Sequence, residues 1–211
     1  MKNTFFLDFE TNGLNPYLND VIEIAIKKMN EEGHYQTFVK PKKMPKGSLY
    51  EYVPPDIIKL TGITDKVIAK KGIEKSVATY NLLKFIEDNS SLEEPIYIVS
   101  HNGNSFDFLF LRRMIYEYEN SKCLGINQKV IENIKYIDTI LLAKLFIEKG
   151  RFSQKVLCER YGIINEDEHR ALGDILALEK LYIELSKEYS KYKEKEEGYY
   201  LEKPEELNMF I

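Results

Sequence analysis

The order of strand-like and helix-like patterns along the 211 residues constrains the fold more than any other feature. Residues Thr4 to Phe9 form a short apolar run, and Val21 to Lys28 alternate apolar and polar side chains. A turn at residues 30–33 leads into a third such segment, His34 to Val39. Runs of this length predict strands, and the short turn predicts a hairpin. The chain therefore opens with a predicted three-stranded meander.

Helix and strand patterns alternate after this meander. Apolar residues at helical spacing, together with Pro, Gly and Ser at the boundaries, predict six helices. They cover residues 54–60, 74–88, 106–118 and 139–147, a segment from a cap at Ser153 through Tyr161, and residues 170–189. Strands are predicted at Ile96 to Ser100 and Lys135 to Asp138. This order predicts an α/β sheet covered by helices, with at least one antiparallel strand.

Composition and charge narrow the class of protein. Hydrophobic residues make up 44% of the chain, enough for a globular core, and no apolar run approaches the ~20 residues that span a bilayer. The N-terminus contains Asp8 where a signal peptide would still be apolar, so it is interpreted as a strand. Two cysteines, Cys123 and Cys158, cannot form a disulfide framework. We therefore expect a cytoplasmic protein with reduced cysteines.

A net charge of −4 argues against a protein that coats long nucleic acid, because such binding needs many contacts from Lys and Arg to phosphates. An enzyme that binds only a strand end remains compatible, since bound metal ions supply local positive charge. Two lysine clusters are interpreted as solvated surface, with nucleic-acid contact as the alternative. They are Lys40, Lys42, Lys43 and Lys46, and Lys66, Lys70, Lys71 and Lys75.

Four carboxylates and one histidine stand where separate elements begin or end. Asp8 and Glu10 lie two apart on the first strand, so their side chains point the same way. Two parallel buried carboxylates need a compensating charge, and Mg²⁺ or Mn²⁺ provides one. Asp107 falls at a predicted helix start, where it serves either as a functional group or as a carboxylate favoured by the helix dipole. His169 and Asp174 lie five apart at the start of the last helix, which brings both near one site.

Three segments carry a resemblance to a known family. They are FLDFETNG, HNGNSFDFLFL and HRALGD, and they resemble the three motifs of the DEDDh (DnaQ-like) 3′→5′ exonuclease family. This family includes the proofreading epsilon subunit of DNA polymerase III and the three-prime repair exonucleases. Auxiliary segments agree in order and spacing, and the resemblance covers roughly residues 4 to 185.

The resemblance implies a ribonuclease H-like fold, with a five-stranded mixed sheet flanked by helices, in residues 1–187. Residues 188–211 then form a charged C-terminal extension that ends in an apolar peptide. Two divalent cations, Mg²⁺ or Mn²⁺, are implied, with His169 as the base that accepts a proton from the attacking water. The implied metal-binding residues are Asp8, Glu10, Asp107 and Asp174. The implied product is a nucleoside 5′-monophosphate from a DNA 3′ end, in replication proofreading or repair.

The resemblance also implies a substrate-binding set around the terminal nucleotide. Leu14 is expected to wedge against the terminal base, with Leu60 or Ile63 as the other wall. Glu10 is expected to contact the terminal 3′-OH, and Thr11 and Asn12 are expected to offer backbone amides to the sugar. Gly13, which precedes Leu14, and His169 also belong to the implied substrate-binding set. Asn102 is either a substrate contact or a turn-forming residue. The position of Asp138 favours a helix cap over a metal ligand.

Two other functions remain open from the sequence. The chain resembles RNA-trimming 3′→5′ exoribonucleases as well, and no residue reads the ribose 2′-OH unambiguously. It also has features of a binding subunit that docks on a polymerase. The residues Glu206 to Phe210 resemble the short peptides by which bacterial replication proteins bind the sliding clamp. The alternative is that these residues fold back on the domain.

Overall fold

A computed structural model describes residues 3–42, 52–121, 125–165 and 169–195. These residues form a six-stranded sheet in the order β4-β3-β2-β1-β5-β6. The strands are β1 (Thr4–Thr11), β2 (Val21–Lys28), β3 (His34–Lys40), β4 (Ile73–Glu74), β5 (Ile96–Ser100) and β6 (Ile134–Asp138). Strand β2 is antiparallel to β1 and to β3, whereas β5 is parallel to β1 and to β6. The predicted mixed α/β sheet is therefore confirmed.

The predicted number of strands is wrong, because the sheet has six and not five. The additional strand is β4, whose two residues pair in parallel with Val39 and Lys40 at the end of β3. Two residues are too short to show a period in the sequence. Their pairing is fixed by the neighbouring strand and not by a local pattern.

Eight α-helices connect or cover the strands in the described residues. They are α1 (Pro55–Thr61), α2 (Asp65–Lys71), α3 (Lys75–Asp88), α4 (Asp107–Asn120), α5 (Gln128–Glu132), α6 (Thr139–Lys144), α7 (Gln154–Arg160) and α8 (Ala171–Lys195). The short helices α2 and α5 were not predicted. The predicted caps are confirmed at both Gly62, which ends α1 with φ 72°, and Ser153, whose hydroxyl accepts a hydrogen bond from the Val156 N–H.

Strand β1 separates two layers of the core because its successive side chains point to opposite faces. Phe5, Leu7 and Phe9 pack with α3 and α4 on one face. Phe6 packs with Ala25 of β2 and with α8 on the other face, and its ring makes an edge contact with Tyr182 at 5.7 Å. Asp8 and Glu10 follow Phe6 at two-residue steps, so they lie on the face that α8 covers.

Two ion pairs hold α8 against β2. Arg170, just before the helix, binds the buried carboxylate of Glu23 at 2.8 Å. Two turns further along, Glu179 accepts from Lys27 at 2.7 Å. The helix continues to Lys195, past the predicted domain boundary at residue 187.

The predictions about the C-terminal peptide and Cys123 lie outside the described residues, whereas Cys158 is described and buried. None of the described helices is both long enough and apolar enough to cross a membrane.

Candidate active site

Three carboxylates meet at the end of β1. Oxygens of Asp8, Glu10 and Asp174 lie within 4.8 Å of one another. The strand period places Asp8 and Glu10 on one face, and Ala171 and Ile175 bury the first turns of α8 against that face. Asp174 stands between these two buried residues in sequence, in the first turn of the helix. The convergence thus follows from the packing of α8 on β1.

Asp107 lies beside this group but is held differently. It begins α4 and is buried, and its Oδ1 accepts a hydrogen bond from the Phe9 N–H at 3.1 Å. Its charge acts on Asp8, whose pKa it helps to raise. The three-carboxylate group and Asp107 therefore occupy neighbouring positions, joined through the backbone of β1.

The electrostatics of the group favour a bound cation. Burial raises the pKa of Asp8 well above its ordinary value, and the charges of Asp107, Asp174 and Glu10 add to that effect. Burial, followed by the charge of Asp174, raises the pKa of Glu10 to about 8. The pKa of Asp107 is also raised, chiefly by burial. Carboxylates that are this costly to ionise without a counter-charge bind either protons or a metal ion.

His169 lies on the rim of this group, in a left-handed backbone conformation with φ 65°. Its N–H donates to Oδ2 of Asp174 at 3.1 Å, and the amide of Asn165 donates to Oδ1 of the same carboxylate at 2.7 Å. The side chain of His169 is exposed. Asp174 therefore connects the turn that carries His169 to the three-carboxylate group.

An open cleft of about 700 Å³ contains these groups. The residues that line it include Asp8, Leu14, Asn102, His169 and Asp174, together with residues of α7. The cleft is large enough for a nucleotide, since small-molecule sites are typically 300–1,000 Å³ in volume. The site thus combines a dense acidic group with a concave surface beside it.

Comparison with known proteins identifies the family. A family model described as "Exonuclease" (RNase_T) matches residues 5–182. The chain belongs to this exonuclease family. This is the DnaQ-like exonuclease family that the three sequence motifs resemble, a family of hydrolases.

Relatives of this exonuclease include parts of DNA polymerases. The chain is 31% identical over 181 residues to the DNA polymerase III PolC-type of Thermotoga maritima, covering 84% of the chain and 11% of that protein. It is 28% identical over 187 residues to DNA polymerase III subunit epsilon of Rickettsia prowazekii, covering 85% of the chain and 72% of that protein. The chain thus spans about a tenth of the PolC-type proteins it matches.

A solved structure shows the same fold at low identity. Exonuclease X in complex with 5′-overhanging duplex DNA superposes with a TM-score of 0.62 at 18% identity, over 98% of both chains. This similarity confirms the ribonuclease H-like architecture predicted for the exonuclease.

The donor set of the exonuclease fits divalent metal ions. Its atoms are hard carboxylate oxygens, which suit Mg²⁺ and Mn²⁺ better than softer metals. Asp8, Glu10 and Asp174 are close enough to share an ion, and the raised pKa values of Asp8 and Glu10 indicate that the protein itself does not fully compensate the charge of these two carboxylates. An acidic site typical of the family is therefore present.

The turn after β1 presents Leu14 to the cleft. The Leu14 side chain is 80% exposed. Arg113 of α4 holds this turn by donating to the carbonyls of Pro16 and Asn19 and by pairing with Asp20 at 3.1 Å. An apolar side chain held out into a cleft is compatible with the predicted contact to a base.

The expected backbone donors are only partly available. The N–H of Asn12 donates to the Asp20 carbonyl at 3.0 Å, and the Asn12 side-chain amide donates to the Tyr52 carbonyl. The Asn12 N–H is therefore used by the contact between the end of β1 and the residue before β2, and its contact to the sugar stays a prediction. The hydroxyl of Thr11 donates to the Gly13 carbonyl and so shapes the turn.

Ile63 and Leu60, predicted as alternatives for the second wall of the base site, are not among the residues that line the cleft of Leu14. The Ile63 side chain is 2% exposed and packs among Ile22, Val53 and Ile68. It lies under a different groove, beside Arg170, and not in the cleft that Leu14 lines. Leu60 is 51% exposed at the end of α1 and likewise does not line that cleft.

The motif around Asn102 is organised by Asp138. Asp138 caps α6 through the Ile140 N–H at 2.9 Å, and it accepts from the N–H groups of Asn102 and Asn104. The predicted cap is therefore confirmed. Asn102 has φ 60°, so it is the predicted turn former, and it also lines the cleft.

His101 is a structural histidine in this exonuclease. Its Nε2 lies 2.8 Å from the Phe152 carbonyl, which can only accept, so Nε2 carries the proton. Nδ1 then accepts from the Thr139 hydroxyl at 2.8 Å. Burial lowers the pKa of His101, which keeps the ring neutral.

Sequence reasoning missed the supporting residues Glu23, Asn165 and Gln154. Glu23 is fully buried and binds Arg170, and the Gln154 amide donates to the Asp174 carbonyl at 2.8 Å. One feature of the sequence could have indicated Glu23, because it is a charged residue within the apolar segment VIEIA. No local pattern indicates Asn165 or Gln154, because the residue that both bind, Asp174, lies on another element.

Proposed function

We propose that this exonuclease releases nucleoside 5′-monophosphates from DNA 3′ ends with Mg²⁺ or Mn²⁺, in replication proofreading or repair. The observation that carries the proposal is the convergence of Asp8, Glu10 and Asp174, two of which, Asp8 and Asp174, line an open cleft. The named relatives support DNA as the substrate, because they are DNA polymerase III proteins and an exonuclease in complex with DNA.

Each acidic residue has a role in this proposal. Asp8, Glu10 and Asp174 hold two divalent ions, and Asp107 supports them from its position beside Asp8. When bound, such ions stabilise the charges that develop on the attacking and leaving oxygens of the phosphodiester. Asp174 also fixes the turn that bears His169 through the hydrogen bond from its backbone N–H.

His169 is the proposed base. Its exposed ring lies on the cleft rim, and its backbone is held by Asp174, so it can reach a water molecule that attacks the terminal phosphate. Leu14, which lines the same cleft, contacts the terminal base. Glu10 also contacts the terminal 3′-OH, because it lies beside Asp8 on the strand face that borders the cleft.

A degradation assay tests this function. Single-stranded DNA and RNA of the same base sequence, labelled at the 5′ end, are incubated with Mg²⁺, with Mn²⁺ or with chelator. We expect a ladder that shortens from the 3′ end of DNA, release of nucleoside 5′-monophosphates, and no reaction in chelator. If RNA were degraded faster than DNA, the proposed DNA substrate would be wrong and the alternative, an RNA-trimming exoribonuclease, would be supported.

Two variants link the reaction to the acidic group. Asp8→Ala and Asp174→Ala should lower turnover by about 10³-fold or more, since each removes a ligand of the ions that stabilise the transition state. Asp56→Ala removes an exposed carboxylate on α1 and is the matched control, with unchanged turnover expected. Retained activity in Asp8→Ala would refute the metal scheme.

A sliding clamp or a polymerase is a further proposed partner, through the peptide that ends the chain. That peptide lies outside the described residues, so its sequence alone supports the proposal. Capture of a purified clamp by the full chain, and not by a chain without its last six residues, would support this interaction. Equal capture by both chains would refute it.

A further inference from the structure

A second groove lies next to the candidate active site, between β3 and α2. It has a volume of about 460 Å³ and is lined by Phe38, Gly62, Ile63, Val67, Lys71 and Arg170, with Gln36 and Thr37 at its edge. We call it the β3–α2 groove. It does not share the cleft that contains Leu14 and Asp174, but Arg170 directly follows the cleft residue His169.

The strand register fixes how far this groove lies from the acidic group. Glu10 pairs with Glu23, and Glu23 pairs with Phe38, so the three residues form one row across β1, β2 and β3. Paired residues in antiparallel strands place their side chains on the same face, and adjacent strands lie about 4.8 Å apart. The backbone of Phe38 is therefore about 10 Å from that of Glu10. This distance corresponds to about three nucleotides of a nucleic-acid strand whose bases are stacked, at ~3.4 Å per nucleotide.

Arg170 contacts two neighbouring residues of this row, Glu23 and Phe38. Its guanidinium donates to Glu23 at 2.8 Å and lies over the Phe38 ring at 5.7 Å. A nucleic-acid strand that leaves the acidic group along the row would pass this guanidinium before it reached the groove.

The charge of the groove is complementary to phosphate. Lys71 also lies over the aromatic ring, with its Nζ 5.9 Å from the Phe38 centroid. Lys66 and Lys70, on the same helix, are exposed as well. None of the residues that line the groove in the described part of the chain is acidic. This local positive surface contrasts with the net charge of −4 of the whole chain.

The floor of the groove is apolar. Ile63 and Val67 lie beside Phe38, which is half-buried and so leaves part of its ring accessible. Cationic side chains beside an aromatic and apolar surface are the combination by which proteins bind single strands, with phosphates at the cations and sugars or bases on the apolar part.

We infer that the β3–α2 groove binds the nucleic-acid strand a few nucleotides upstream of the reacting 3′ end. Lys71 and Arg170 contact its phosphates, and Phe38 contacts a sugar or base. This inference rests on the proposed function and adds a second contact region for the same strand. It also explains how an acidic chain holds a polyanion, because the cations are concentrated on the path to the site.

The inference predicts a dependence on substrate length. Lys71→Glu is measured on a DNA oligomer of about twelve nucleotides and on a dinucleotide, which is too short to reach the groove. We expect the ratio of kcat/KM for the oligomer over that for the dinucleotide to fall about tenfold, through KM. In Lys71→Ala, the slope of log binding constant against log salt should become shallower by about 0.7, the value for one lost phosphate contact on a single strand.

Two further variants separate this effect from general changes. Lys191→Glu makes the same charge change at an exposed site about 30 Å along α8 from Ala171, and its ratio should equal that of the wild type. Phe38→Leu keeps an apolar side chain but removes the ring, and the ratio should fall by a smaller factor. An unchanged ratio in Lys71→Glu, or an equal fall in Lys191→Glu, would overturn the inference.

The same experiments distinguish failure of the proposed function from failure of the groove inference. If the wild type hydrolyses neither substrate, the proposed activity is wrong. Binding of a labelled single-stranded oligomer to the groove is then measured by fluorescence anisotropy. Weaker binding in Lys71→Glu than in Lys191→Glu supports the groove, and equal binding overturns it.

Discussion

Glu10 and Glu23 face each other across β1 and β2, and among the described residues only Glu23 has a cation of the protein bound directly to it. The carboxylate of Glu23 accepts two hydrogen bonds from Arg170, at 2.8 and 3.2 Å, and one from Gln36 at 2.9 Å. Burial and the charges of Asp174 and Glu23 raise the pKa of Glu10. Glu23 is therefore directly paired, whereas the charge of Glu10 is offset only in part, by the more distant Arg170.

Arg170→Ala should destabilise the protein because it leaves the Glu23 carboxylate buried without its partner. We expect a loss of about 3 kcal/mol in the free energy of unfolding, the low end for a broken buried pair, since the Arg170 side chain is 42% exposed. The double variant with Glu23→Gln should recover part of the loss. Urea unfolding measures these values, and Arg160→Ala, at an exposed arginine on α7, should change stability by less than about 0.5 kcal/mol. A loss no larger than in Arg160→Ala would contradict the prediction.

The raised pKa of Glu10 predicts how stability depends on pH without metal. Between the ordinary value of 4.5 and about 8, the folded protein keeps a proton on Glu10 that the unfolded chain has lost. Its contribution to stability is therefore complete below pH 4.5 and is lost as pH rises towards 8. In chelator, the stability of the wild type relative to Glu10→Gln should fall across this range. With Mg²⁺ the fall should shrink, because the ion binds the ionised carboxylate; a fall that Mg²⁺ does not change would count against a metal site at Glu10.

Local sequence patterns were sufficient to predict those structural features that depend on a single helix or strand. The strand at Ile96–Ser100 was predicted to the residue, because a short apolar run ends at a turn there. The common face of Asp8 and Glu10 follows from the strand period alone. The cap role of Asp138 could be predicted because it depends on its own helix start. The approach of Asp174 to these strands was available from the family motifs.

Other features depend on pairings between distant residues. Glu23 and Arg170 are 147 residues apart, and no period or cap relates them. Ile63 was expected in the base site, but the path of α1 and α2 places it under the β3–α2 groove. A single sequence predicts whether a segment is a helix or a strand more readily than it predicts where the connection between two elements lies relative to the site.

His169→Ala should separate the base from the metal ligands. We expect turnover on single-stranded DNA to fall by about 10²-fold or more, the usual contribution of a general base. The rise in melting temperature on addition of Mg²⁺ should remain, because His169 touches Asp174 through its backbone N–H, which alanine retains. Asp174→Ala should lose both turnover and the Mg²⁺ effect. If His169→Ala turned over normally, another group would be the base.

Asp138→Ala tests the distinction between a cap and a ligand. The carboxylate accepts from the Asn102, Asn104 and Ile140 N–H groups, so its loss removes the cap of α6 and loosens the turn after β5. We expect a loss of about 1–2 kcal/mol in the free energy of unfolding, the range for a lost helix cap. Because Asp138 is not among the three clustered carboxylates, the Mg²⁺ concentration that gives half-maximal activity should stay as in the wild type. In the same titration, Asp174→Ala should give the opposite result, with activity lost at every Mg²⁺ concentration. A marked rise in the Mg²⁺ requirement of Asp138→Ala would instead assign Asp138 to the metal site, and the hydrogen bonds to the turn would then be secondary.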